Sequence, residues 1–153
     1  MRRGFTMIEL IFVIVILGIL AAVAIPKLAA TRDDAKISKI ASNIQAAKNE
    51  IASYVVAQGT EANATNIDAD WYKTASNIIS EGVSSEDITI TGSGPATVNF
   101  LDKDHNETCM TLQYAGNNIV IKEGTDASSA ICTGVKGLVK ESNITVSGQS
   151  VKY

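Results

Sequence analysis

The 153-residue sequence predicts an α+β fold: one long N-terminal helix, apolar in its first half and amphipathic in its second, packed on a C-terminal antiparallel β-sheet head. Three observations predict it. An uncharged run covers residues 10–25. Beyond it, apolar residues recur at helical spacing as far as residue 58. From Ile88 onward the pattern changes to short alternating stretches broken by Gly, Asn and Pro. With 46% hydrophobic and 19% charged residues, composition suits one domain plus an anchor. The net charge of −3 argues against a chain built as a whole to attract nucleic acid, and no nucleic-acid site is evident. There is no internal repeat of repeat-protein period.

The chain begins MRRGFTMIELIFVIVILGILAAVAIPK. Residues 5–25 form a stretch that, as a helix, spans roughly 30 Å, one hydrocarbon core. On hydropathy alone two readings stand. One is a cleaved secretory signal, with Arg2 and Arg3 as its basic region and Ala22-Val23-Ala24 as its small-x-small site. The other is a plain membrane anchor. Neither explains Glu9, an acid inside the apolar segment. Charged side chains at the bilayer centre cost roughly 2.5–3.5 kcal/mol on insertion scales, so they are rare and usually functional.

The stretch Gly4-Phe5-Thr6-Met7-Ile8-Glu9-Leu10 resembles the GFTLIE signature of type IV pilins and pseudopilins. The resemblance extends through Pro26 and fades beyond the second half of the long helix. It implies that residues 1–4 are a prepilin leader, that a dedicated membrane peptidase cuts after Gly4, and that the new N-terminal Phe5 is methylated. It implies a single-pass inner-membrane precursor with a periplasmic head. It also implies partners: the prepilin peptidase, an inner-membrane assembly platform, related minor pilins and other copies of the chain in a helical filament. Glu9, fifth in the mature chain, then pairs with the Phe5 amine of an adjacent subunit and sets axial register. The physics is compatible. Glu9 lies four positions after Phe5, about 6 Å along one helix face, so the amine of the same chain can offset the carboxylate in the membrane and a neighbour's amine can do so in a fibre. A snorkelling interfacial acid is the alternative.

Residues 5–26 would therefore be the transmembrane and filament-core helix. Gly18 lowers helix propensity by about 1 kcal/mol against Ala. Pro26 leaves the Ala22 carbonyl without its helical partner. A helix break or kink is expected there. The resemblance implies that the stretch from Gly18 to Pro26 unwinds in assembled pili, while close helix packing at Gly18 is the other reading.

Residues 27–58 read as an amphipathic helix packing on the head. Ile37, Ile44 and Ile51 repeat every seven residues, with Ile40, Ala47 and Tyr54 between them. A coiled coil is the alternative to a sheet-packing face. Residues 59–87 are a connection holding one short helix, starting at Asp68-Ala69-Asp70 and ending at Gly82, with Trp71, Ala75 and Ile78 on one face. Trp71 is either a core plug or a contact between subunits. Residues 88–153 form the antiparallel head, with strands at 88–91, 97–101, 108–114, 119–122 and 144–146.

Cys109 and Cys132 have no closely spaced companions for zinc. An exported head meets an oxidising compartment, so a disulfide is expected, as pilins of the family often have one; two free buried thiols are the alternative. Asp102-Lys103-Asp104-His105-Asn106-Glu107 resembles the start of a calcium loop. It lacks Gly at the sixth position and has Gln113 at the twelfth, so a solvated hairpin turn is expected, with Asp102 and Asp104 a weak calcium candidate. No nucleophile–base pair or phosphate loop is legible. No enzyme and no cofactor are expected.

Three Asn-x-Ser/Thr sequons, at Asn63, Asn106 and Asn143, mark candidate N-glycosylation sites. Each has an acid two residues earlier: Glu61, Asp104 and Glu141. The pattern resembles the acceptor of a bacterial N-glycosylation system; polar turn chemistry in a secreted head is the alternative.

The sequence thus points to a structural subunit of a type IV pilus or related filament. The alternative is a pseudopilin of a type II secretion or DNA-uptake machine, with a periplasmic pseudopilus instead of an extracellular pilus. A soluble binding protein released after Ala24 is the third reading. A disulfide leans towards a pilus, since the resemblance associates secretion pseudopilins more often with a calcium loop.

Overall fold

The structure is a computed structural model that describes residues 4–58, 67–92, 94–125 and 127–146. It falls into two compact units, residues 1–35 and 36–153, with helix α1 (Met7–Gln58) contributing to both. In the first unit every described side chain is exposed. This includes Phe5, Phe12, Leu17 and Leu28, an amount of bare apolar surface that water does not tolerate on a free monomer. Helix α1 runs through Gly18 and carries Pro26 inside it. Proline removes one backbone donor, and the bonds of its neighbours carry the helix past it.

The second unit is the head. From residue 36 onward α1 puts Ala41, Ile44, Ala47, Ile51 and Val55 into its core, with Ile37, Ile40 and Tyr54 at the margin. These residues include the heptad positions Ile37, Ile44 and Ile51, whereas residues 27–35 are exposed and belong to the first unit. Each fully buried isoleucine stabilises by roughly 1.5–3 kcal/mol relative to exposure.

The connection holds two helices where one was expected. Helix α2 (Ala69–Ala75) is capped by Asp68, whose carboxylate accepts from the Trp71 N–H at 2.9 Å. Ser76 is extended, at φ −145 and ψ 120, and ends α2. Its hydroxyl then accepts from the Ile79 N–H at 3.2 Å and caps α3 (Asn77–Ser84). The break shifts the buried face to Tyr72, Ala75 and Ile79, leaving Trp71 and Ile78 half-buried.

Five strands follow: β1 (Ile88–Thr91), β2 (Thr97–Asp102), β3 (Glu107–Ala115), β4 (Asn118–Glu123) and β5 (Ser142–Thr145). They pair antiparallel in the order β1-β2-β3-β4-β5. Val98 and Phe100 on β2, Met110, Leu112 and Tyr114 on β3, and Ile119 and Ile121 on β4 line the buried face. The last strand begins two residues earlier than expected.

One helix of the head was not expected at all. Helix α4 (Ala130–Leu138) lies between β4 and β5 and buries Ile131, Cys132 and Val135. The Ser129 hydroxyl caps it by accepting from the Cys132 N–H at 3.1 Å. Two glycines make room here. A Cβ at Gly134 would fall 2.4 Å from Ile37 Cδ1 of α1, and one at Gly124 would fall 1.7 Å from the Thr108 carbonyl oxygen.

Cys109 and Cys132 form the disulfide, with Cα atoms 4.6 Å apart. The β2–β3 register skips Cys109, pairing Phe100 with Met110 and Leu101 with Thr108. Such a bulge re-aims a side chain, and here Cys109 and its neighbour Met110 are both buried.

Candidate functional site

Gly4, Phe5, Thr6 and Glu9 lie before or within the first turn of α1. Gly4 and Phe5 are exposed and precede the helix. Thr6 is the residue before its first turn. Its backbone N–H and its hydroxyl both donate to Glu9 Oε2, each at 2.8 Å, and the Glu9 N–H reaches the Thr6 Oγ1 at 3.4 Å. This reciprocal arrangement is a capping box, with Thr at the cap and Glu three residues on. It satisfies donors that the first turn would otherwise leave without partners, and places an acid where the helix dipole favours negative charge. The Thr-x-x-Glu spacing is the sequence signature of the box. The apolar part of α1 that follows is long enough to cross a membrane.

In the head, Trp71 lies in an aromatic group. It stacks on Tyr114 at a centroid distance of 5.4 Å and meets Tyr54 and Tyr72 edge-on at 5.7 and 5.2 Å. The buried Tyr72 hydroxyl donates to the Ala96 carbonyl at 3.1 Å and accepts from the Tyr114 N–H at 2.7 Å. Burial pushes this phenol up to about 12.

Asp102 and Asp104, the weak calcium candidate, are drawn to different partners. Asp102 is buried; its Oδ2 contacts His105 Nδ1 at 2.6 Å and accepts from the Ser129 hydroxyl at 3.0 Å. Its Oδ1 accepts from the Asp104 N–H at 3.2 Å. The Asp104 carboxylate pairs instead with Lys36. Among the described residues no group of three or more His, Cys, Asp or Glu side chains is placed to hold a metal ion. Ser129 and His105 both bind the Asp102 carboxylate, so the imidazole does not stand between carboxylate and hydroxyl as a serine relay requires.

Glu107 ties the start of α4 to β3. It accepts from the Ser128 and Ser129 N–H groups at 3.0 and 2.7 Å and from the Ser128 hydroxyl at 2.7 Å. These bonds, led by that from the Ser129 backbone, hold its carboxyl below the usual range. A cleft of about 160 Å³ beside α1 is lined by Ile40, Ile88 and Phe100. At its rim Lys39 meets Asp87 at 2.7 Å. That hydrogen bond lowers the Asp87 pKa.

Of the sequons, Asn63 lies outside the described residues. Asn106 is exposed in the turn between β2 and β3, and Asn143 is exposed on β5.

The family model for the prokaryotic N-terminal methylation motif matches residues 1–25. A 53-residue stretch is 42% identical to the type II secretion system core protein G of Klebsiella michiganensis, covering 35% of this chain and 37% of that protein. The corresponding protein of Escherichia coli K12 is 40% identical over 53 residues, with the same two coverages. That of Dickeya chrysanthemi is 40% identical over 53 residues, 35% of each chain. The chain thus matches little more than a third of the length of these relatives. No solved structure matches significantly. The likeness to known proteins thus lies in the N-terminal methylation motif and a 53-residue stretch, on a chain whose fold is α+β, a long N-terminal helix followed by a five-stranded antiparallel sheet.

Proposed function

We propose that this chain is a pseudopilin, a non-enzymatic subunit that is cut after Gly4, methylated at Phe5 and polymerised through α1 into a periplasmic pseudopilus of the type II secretion kind. The similarity to type II secretion core proteins G carries this reading, and favours it over the pilus subunit first expected from the sequence. The bare apolar part of α1 suits both stages of such a life. In the inner membrane it matches the hydrocarbon thickness. In a fibre, copies of the same helix would cover one another's surface. Unwinding between Gly18 and Pro26 would belong to this second stage.

Glu9 would serve both stages as well. Thr6 engages its Oε2, which leaves the other oxygen to meet an ammonium group. In the membrane that group would be the Phe5 amine of the same chain; in the fibre it would be the Phe5 amine of a neighbour, which fixes the axial step. The partners on this reading are the prepilin peptidase, the inner-membrane assembly platform, other copies of the chain and related minor pilins.

A pilus subunit is the second reading, favoured by the Cys109–Cys132 bridge. One experiment separates the two. Deleting the gene should abolish secretion of substrate proteins into the medium and leave surface filaments unchanged. Loss of surface filaments with normal secretion would assign the chain to a pilus.

A further inference from the structure

We propose that Asn106 is an N-glycan acceptor, recognised within Asp104-His105-Asn106-Glu107-Thr108. The inference stands on the head alone and does not depend on which filament the chain builds. Asn106 ends the turn 103–106 between β2 and β3 with a left-handed φ of 54, a conformation Asn tolerates better than most residues. It is exposed, and its side chain makes no hydrogen bond among the described residues. The carboxamide nitrogen is therefore presented to solvent at the end of a hairpin.

The other described sequon differs. Asn143 is exposed too, but its backbone is held in β5 opposite Val120. Glu141, its acid, accepts from the Glu123 N–H at 3.1 Å. Drawing Asn143 into an enzyme cleft would strip an edge strand from the sheet. Drawing in Asn106 opens a four-residue turn, with its bonds from the Asp104 N–H and His105 to Asp102 and from Lys103 to Glu86, and releases Asp104 from Lys36, but strips no strand from the sheet. A cation in the transferase cleft would take the place of Lys36 on that carboxylate.

The donor is an oligosaccharide carried on a lipid diphosphate. The bond that forms joins Asn106 Nδ2 to the sugar C1. The bond that breaks joins C1 to the diphosphate oxygen, which leaves with the electron pair, while Nδ2 gives up one proton to a base of the transferase.

The test uses exported protein from its own cells. Reduction and tryptic digestion release the peptide 104–122, which holds Asn106 and no other sequon. This peptide should carry added carbohydrate mass, lost in Asn106→Gln and in Thr108→Val but kept in Thr108→Ser. Asp104→Asn should also lose it. Lys36→Ala breaks the same ion pair yet spares the carboxylate, and should keep it. An unmodified peptide 104–122 in the native protein overturns the proposal, as does modification that survives Thr108→Val. Loss of the glycan in Lys36→Ala overturns the recognition role of Asp104.

Discussion

Replacing both Cys109 and Cys132 by Ala removes a bridge between β3 and α4 that spans 23 residues of sequence. On the chain-entropy account, releasing a loop of that length frees the unfolded chain by about 3 kcal/mol. The native state loses little besides, because alanine fits both buried sites without leaving a polar atom unpaired. The head unit comprises residues 36–153. At roughly 2.1 cal/mol/K of unfolding entropy per residue, that loss lowers its melting temperature by about 12 °C. Trp71, the only tryptophan, is stacked on Tyr114 and reports the transition by its fluorescence in detergent-solubilised protein. A variant that melts within about 2 °C of the parent would show that the bridge does not hold the head together. So would two alkylatable thiols in the exported native protein.

Tyr72→Phe should destabilise the head by about 1–3 kcal/mol in the same melt, because it leaves the Ala96 carbonyl and the Tyr114 N–H without their buried partner. An unchanged melt would show those groups re-paired at no cost. Acid should weaken the head through Asp87 and Glu107, whose folded-state pKa values lie below the ordinary 3.8 and 4.5. The stability they add is complete above those ordinary values and is lost as the pH falls through the lower folded ones. Urea titrations should therefore show a midpoint that declines below about pH 4.5, less steeply in Glu107→Gln; equal slopes would remove Glu107 from the account. Glu9→Ala should leave export and cleavage intact and abolish filament formation when it is the sole subunit. Wild-type filament yield from that variant would end the register role of Glu9.

The long helix was legible because its signals are redundant. The uncharged run 10–25 and the heptad of Ile37, Ile44 and Ile51 each specify a helix, and their different polarity separates anchor from head. The strands were legible for a related reason, since alternation and turn residues agree along 88–122. Helix α4 was hidden by the glycines at 134 and 137, which read as breakers. Gly134 is there because Ile37 leaves no room for a Cβ, a fact of tertiary packing that no local pattern encodes. Ser76 likewise reads as an ordinary helical serine until its hydroxyl is seen to cap α3 and to donate to Glu50 at 2.6 Å. Asp102 and Asp104 look like companions in sequence, yet one is buried beneath Ser129 and His105 while the other faces Lys36. The alternating spacing of a turn does not fix which way each carboxylate is drawn. At the N-terminus, Gly4-Phe5 and Glu9 are conspicuous by residue type alone, whereas the role of Thr6 depends on its spacing from Glu9.

On the proposed function, α1 begins life behind a four-residue leader and is used with a free, methylated Phe5 at its head. Intact mass and N-terminal sequencing of the exported protein test it directly. The expected product is a single species lacking Met1-Arg2-Arg3-Gly4, carrying one methyl group on the Phe5 amine, with its formal side-chain charge moved from −3 to −5 by the loss of two arginines. A chain that starts at Met1 when assembled, or at Ile25 after signal-type cleavage, would contradict it.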